Sequence, residues 1–181
     1  MRCEKIEAAD VFERLKKGNE KYVNSGAFSG DVSEGVRADT AANGQKPFAV
    51  VIACSDSRVI PEAIFSCGIG ELFVIRVAGN VVGDNELGSV EYAVEHLGIN
   101  FVLVLGHTHC GAVNGAIGGC FDGYTGALTK DIARAIGDEK DDLKASAVNA
   151  RAQAEKLRKA FDGVTIVSAV YDVKSGKVSR L

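Results

Sequence analysis

An α/β fold built on a parallel sheet is what this sequence predicts, and two observations carry that expectation. Short, nearly continuous apolar runs rich in Val and Ile recur along the chain, and stretches of helical periodicity separate them. A strand covered on both faces of a parallel sheet reads as an unbroken apolar run rather than an alternating one. Strands that alternate with helices supply the crossovers that parallel pairing needs. The bulk composition agrees: 181 residues, 46 % apolar and 25 % charged with only two prolines, suffice for one domain with a real core and exclude a disordered or fibrous chain.

Taken in order, Ala8–Asn24 sets Val11, Phe12, Leu15, Tyr22 and Val23 among Lys and Glu, the pattern of a loosely amphipathic helix. Ser25–Gly35, rich in Gly and Ser, reads as a connector. Residues 1–45 are therefore expected to form an N-terminal helical arm that packs on a partner subunit, ahead of a core spanning 46–181 in a single domain. Phe48–Ala53, Leu72–Val77, Phe101–Leu105 and Val164–Tyr171 are the predicted buried strands. Asn85–Leu97, Ala127–Ile136 and Ala145–Phe161 are the helices between them, and the charged run Asp138–Lys144 reads as a solvated loop. Asp172–Leu181, with a turn at Ser175-Gly176, adds a short fifth strand at the edge.

Several function classes drop out early. A net charge of −3 offers no basic surplus for nucleic acid. No apolar window approaches the roughly 18 residues of a membrane span, and Met1–Asp10 lacks the apolar core of a signal peptide. The expected compartment is the cytoplasm, where cysteines bind metal or do chemistry more often than they form disulfides. Five cysteines, an odd number, fit that expectation.

Two motifs carry the chemistry. Ala53-Cys54-Ser55-Asp56-Ser57-Arg58 follows the first strand, and in extended backbone Cys54, Asp56 and Arg58 share one face. An Asp beside a fixed positive charge stays ionised. By itself the motif also fits a buried structural Cys next to a routine Asp–Arg pair. Gly106-His107-Thr108-His109-Cys110-Gly111 follows the third strand, and its H-x-x-C spacing lets His107 and Cys110 converge if a helix starts there. A satisfied histidine and a small buried thiol would read the same way. Together the motifs are far more specific. If strand three lies on the other side of strand one from strand two, the order is 2-1-3-4 and both motifs meet at the switch point where α/β sheets bind ligands. Two sulfurs and one imidazole suit Zn²⁺, with the fourth position open to water as in catalytic zinc.

With these residues the sequence resembles the β-carbonic anhydrases from about Ala8 to the Tyr171-Asp172-Val173 stretch. The matching pieces are Gly44-Gln45-Lys46-Pro47-Phe48, the Cys54 motif, Gly70-Glu71-Leu72-Phe73-Val74-Ile75-Arg76, Ala78-Gly79-Asn80, Glu91-Tyr92-Ala93 and Gly106 through Ala112. The resemblance implies one Zn²⁺ per subunit on Cys54, His107 and Cys110. Asp56 either joins the metal in a closed form or is held off it by Arg58. Gln45, Phe73, Tyr92 and Gly111 match substrate-pocket positions, in a pocket to which the neighbouring subunit of a homodimer, or of a dimer of dimers, contributes. The implied reaction is reversible hydration of CO₂ to bicarbonate and a proton, with zinc making hydroxide available near neutral pH. Val51, where the other subclass has Trp, and Gln45 match the plant-like subclass. Val77 departs from the family's usual Asn. His109 is expected not to be a ligand, His96 to be a surface or packing residue, and Cys3, Cys67 and Cys120 to be incidental. Hydrolysis of carbonyl sulfide or carbon disulfide, or a non-catalytic zinc- or bicarbonate-binding role, remain the alternatives.

Overall fold

The computed structural model describes residues 8–181; Cys3 and most of the Met1–Asp10 segment lie outside the described residues. The elements in chain order are α1 (Ala8–Ser25), α2 (Glu34–Asn43), β1 (Ala49–Ala53), α3 (Pro61–Ile64), β2 (Leu72–Arg76), α4 (Asp84–Leu97), β3 (Phe101–His107), α5 (Gly111–Ile117), α6 (Thr125–Ile136), α7 (Asp142–Ala160), β4 (Thr165–Tyr171) and β5 (Val178–Arg180). A single sheet runs in the order β2-β1-β3-β4-β5. Its first four strands are parallel and β5 is antiparallel to β4. The expected 2-1-3-4 order and the short edge strand are both present.

Both faces of the sheet are covered, which is why its central strands lack alternation. Val51 and Ala53 of β1 with Leu103 and Leu105 of β3 pack against Val11 and Leu15 of α1 and Ile64 and Phe65 around α3. Val50, Ile52, Val102 and Val104 face the other way, onto Val90 and Ala93 of α4 and Ala150, Ala154 and Leu157 of α7. Each neighbouring residue in these strands thus serves a different core. A third cluster, with Val113, Ala116, Ile132 and Ile136 of α5 and α6, closes over the carboxyl end of the sheet around Cys54 and Cys110.

Register fixes where the motifs meet. Ala53, the last residue of β1, pairs with Leu105 and with Arg76. β3 continues two residues further than the sequence suggested, because Gly106 and His107 still pair with Val170 and Tyr171 of β4. Gly106 belongs there for reasons of space: a Cβ at this position would stand 3.0 Å from the Ser146 carbonyl oxygen and 3.2 Å from the Ala150 Cβ, so its absence lets α7 lie close against the strand.

Three parts of the sequence reading need revision. α2 forms where no helix was expected; Ser33 caps it, and none of its residues is buried, so it carries no apolar stripe to read. α7 begins inside the charged run Asp138–Lys144, with Asp141 accepting from the Lys144 N–H as its N-cap, so that run is not simply a solvated loop. α1 packs on its own chain, with Val11 and Leu15 each 1 % exposed. Asn19 stitches α1 down: its Nδ2 donates to the carbonyls of Ile64 and Gly176, and its Oδ1 accepts from the Val178 N–H. Replacing it leaves those buried backbone groups unpaired. Asn19→Leu is expected to lower the unfolding free energy by about 2–3 kcal/mol in urea titrations; an unchanged midpoint would contradict this role.

Candidate metal centre

At the carboxyl end of the sheet the Cys54 and Cys110 sulfurs and a ring nitrogen of His107 lie within 4.8 Å of one another, all on buried residues. Cys54 follows β1 directly and His107 ends β3. Cys110 is reached through a sharp turn in which His109 takes φ +57°, and it caps the N-terminus of α5. A strand end, a turn and a helix start thus deliver the three side chains to one point. The expected convergence is present.

Several features of this group fit a tetrahedral zinc. The two sulfurs are 4.0 Å apart and both cysteines are free. That is too long for a disulfide at about 2.05 Å, and close to the roughly 3.8 Å separating two sulfurs that each sit about 2.3 Å from one zinc. His107 is fully buried, and its Nδ1 bonds the Thr108 carbonyl at 2.9 Å. As a carbonyl only accepts, Nδ1 carries the proton and Nε2 is left with a bare lone pair. That Nε2 has no hydrogen-bond partner. A buried acceptor with no donor, beside two sulfurs, has the chemistry of a metal ligand.

The two thiols divide their protons unequally. The S–H of Cys110 draws Cys54 below the usual thiol range, with smaller help from His107 and the N–H groups of Gly79 and Asp56, while burial opposes the shift. Cys110 moves up, first through that donated S–H and then through burial. By contrast Cys67, buried beside Glu71, is pushed up to about 12 mainly by desolvation and is inert. Cys120 is exposed.

Asp56 stands outside the three-donor group. Its Oδ1 accepts from the Arg58 N–H and Nε at 2.9 Å each, and its Oδ2 accepts from Arg58 Nη2 at 2.7 Å. This fork, ahead of the opposing desolvation, holds the carboxyl well below the usual carboxylate range. Arg58 also reaches the His109 carbonyl at 3.1 Å, tying the Cys54 loop to the Cys110 loop.

The remaining sequence-flagged residues separate into two groups. Gly111 opens α5 beside Cys110, is exposed, and has open space where a Cβ would point. Phe73 pairs with Val50, three residues short of the strand end at Ala53, so it lies roughly 10 Å down the sheet. It contacts Tyr92 with ring centroids 6.2 Å apart, and Tyr92, 48 % exposed, stacks on His96 at 5.1 Å. Gln45 is exposed ahead of β1. Among the described residues, then, one chain brings Cys54, His107, Cys110, Asp56, Arg58 and Gly111 together, while Phe73 is half-buried against the core around Val50 and Val90, and Gln45 and Tyr92 are exposed. Sequence reasoning missed the supporting contacts. Arg76 clamps the carbonyls of Cys54 and Asp56 at 3.1 and 2.7 Å. Asp142 Oδ2 accepts the His109 N–H at 2.7 Å, which the Asp138–Lys144 reading did not foresee. Val77, despite lacking an amide side chain, keeps its own N–H on the Ala53 carbonyl at 3.1 Å.

An α/β sheet with a Cys-His-Cys group at its switch point defines a class of zinc-site protein, and sequence comparison makes the class specific. The chain belongs to the carbonic anhydrase family, whose model matches residues 49–178. Carbonic anhydrase 2 of Mycobacterium tuberculosis is 43 % identical over 127 residues, which are 70 % of this chain and 61 % of that protein. The carbonic anhydrase of Pseudomonas aeruginosa is 53 % identical over 85 residues, 44 % of this chain and 38 % of its own. The matched stretch thus spans about three fifths of the mycobacterial relative. Among solved structures, the β-carbonic anhydrase CcaA superposes with a TM-score of 0.71 at 28 % identity, covering 94 % of this chain and 87 % of that one. The Coccomyxa β-carbonic anhydrase in complex with acetazolamide gives 0.70 at 26 %, with 97 % and 86 % covered. These neighbours place the chain in the β class.

The uneven thiol pair makes a measurable demand. The shared S–H lowers Cys54 and raises Cys110, and zinc needs both sulfurs as thiolates. Zinc uptake should therefore release protons and weaken as pH falls, read by chelator competition at several pH values. An affinity independent of pH would contradict this.

Proposed function

We propose that the chain is a zinc-dependent carbonic anhydrase, hydrating CO₂ reversibly to bicarbonate and a proton. One observation carries the reading: the buried Cys54-His107-Cys110 group, with its unpartnered Nε2, sits beside a carboxylate locked by Arg58. Zinc held there would supply a Lewis acid that makes water nucleophilic near neutral pH, though a weaker one than on three neutral imidazoles because two thiolates cancel its formal charge.

The chain's own residues do the rest. Arg58 occupies both oxygens of Asp56 and draws the carboxylate off the metal position, leaving that position to solvent. Oδ1 accepts two N–H groups and Oδ2 only one, so Oδ2 keeps a lone pair free. There Asp56 accepts a hydrogen bond from the attacking water and turns the oxygen lone pair toward the carbon of CO₂. Arg76 and the Arg58–His109 contact hold Asp56 in place. The open space at Gly111 gives CO₂ room beside Cys110. Val51, in place of the other subclass's Trp, together with Gln45 supports the plant-like subclass.

The assembly we read is a homodimer or a dimer of dimers. β2 lies at the sheet edge with Phe73, Val74 and Ile75 half-buried, and Phe28, Val32 and Ile60 are between 45 % and 49 % exposed. Apolar edges of this kind call for cover, and a second copy would bring Gln45, Phe73 and Tyr92 toward a neighbouring Cys54 site. One related structure, from Sordaria macrospora, is described as tetrameric. With α1 packed on its own chain, α2, none of whose residues is buried, is the part of the arm left for a partner in this reading. No helix among the described residues is long and apolar enough to cross a membrane. Free thiols at Cys54, Cys67, Cys110 and Cys120 suit the cytoplasm.

Stopped-flow CO₂ hydration with a parallel metal assay tests the reading. Zinc-loaded protein should turn over CO₂, faster than carbonyl sulfide or carbon disulfide. Stoichiometric zinc without turnover would favour a binding protein instead. Asp56→Ala should keep its zinc and lose roughly 100-fold or more in kcat; full activity would remove Asp56 from the mechanism. In sedimentation equilibrium the protein should run at twice the chain mass or more, and a strictly monomeric profile would overturn the shared pocket.

A further inference from the structure

Behind the candidate centre a line of buried amides runs from the Cys54 sulfur to the surface. Gly79 donates its N–H to Cys54 Sγ at 3.2 Å. Its carbonyl accepts from Asn149 Nδ2 at 2.9 Å. Asn149 Oδ1 accepts from Gln153 Nε2 at 3.1 Å, and the same nitrogen donates to Asp131 Oδ2 at 3.1 Å. Gln153 Oε1 accepts the Val82 N–H at 2.9 Å, and Lys156 pairs with Asp131 at 2.6 Å where the line meets solvent. Asn149 and Gln153 are 0 % exposed. The amide orientations follow from the chemistry: a backbone carbonyl only accepts, so Asn149 must present Nδ2 to Gly79 and keep Oδ1 for Gln153.

Gly79 itself has little freedom. Its φ is +69°, and a Cβ there would come within 2.6 Å of Ile132 Cδ1. With that backbone fixed, whatever holds the carbonyl also aims the N–H. Two buried amides cost desolvation that an apolar pair of similar volume would not, and here they grip the β2–α4 connection at both Gly79 and Val82.

We infer that Asn149, supported by Gln153, is a positioning residue for the metal centre, pinning Gly79 so that its N–H stays on the Cys54 sulfur and draws charge from that ligand. The inference rests on the zinc reading above. A sulfur that accepts an N–H bond donates less charge to its metal, which stays more electrophilic.

The test uses the full chain loaded with NMR-active cadmium and, separately, with cobalt. In the wild-type protein the Gly79 amide proton should show a scalar coupling to cadmium through the sulfur, and absence of this coupling overturns the proposal. Asn149→Ala, checked for fold by circular dichroism, should lose the coupling. Its sulfur-to-cobalt charge-transfer band should move to longer wavelength. If that variant does not fold, Gln153→Met keeps Asn149 but removes the donor that orients it, and should give the same changes. A folded variant with coupling and band unchanged makes the pair merely structural and overturns the inference. A wild-type protein that takes up neither metal defeats the zinc reading itself, which is a separate outcome.

Discussion

Parallel pairing of β1 with β3 is the constraint on which the rest depends. Because Ala53 lies opposite Leu105, the chain leaves β1 at Cys54 beside the place where β3 delivers His107. An antiparallel arrangement would put the two motifs at opposite ends of the sheet. Pairing of β3 with β4 then carries β3 two residues further, far enough for His107 to enter the pocket with its ring already oriented by the Thr108 carbonyl. Sheet register and the chemistry of the centre are one geometric fact.

Around that point the protein handles charge in two ways. In the dry interior, the sulfurs are served by N–H groups from Gly79, Asp56 and the first turn of α5. At the rim, Asp56 is served by a guanidinium, and a second guanidinium from Arg76 braces the backbone on which both Cys54 and Asp56 hang. Arg58 is exposed on one side and tied to the His109 carbonyl on the other, so it couples the two loops without being buried itself.

The sequence made the strands, the long helices and the three donor residues legible, because each follows from a local pattern: unbroken apolar runs, helical periodicity, and cysteine and histidine placed just after strands. The 2-1-3-4 order came only from requiring both motifs to meet at one point. α2 escaped because none of its residues is buried and it carries no apolar stripe. Asp142 and Asn149 escaped for another reason. Their contacts to His109 and Gly79 join residues 33 and 70 positions apart, and nothing local in a polar side chain announces such a partner. The Gly79 turn could have been suspected from Ala78-Gly79-Asn80 alone, since glycine is favoured where φ is positive. The contact of Phe73 with Tyr92 was not readable from periodicity, because it joins a sheet-edge strand to a helix through two rings that each belong to a different local pattern.

The wide spacing of the donors also shapes how the protein is made. Cys54 and Cys110 are 56 positions apart, and no shorter loop can bring either sulfur to the other before β1 and β3 have zipped together. Closing so long a loop costs entropy that only the assembled sheet repays. The complete three-donor group is therefore a product of the native topology: Cys54 joins His107 and Cys110 only once β1 lies beside β3.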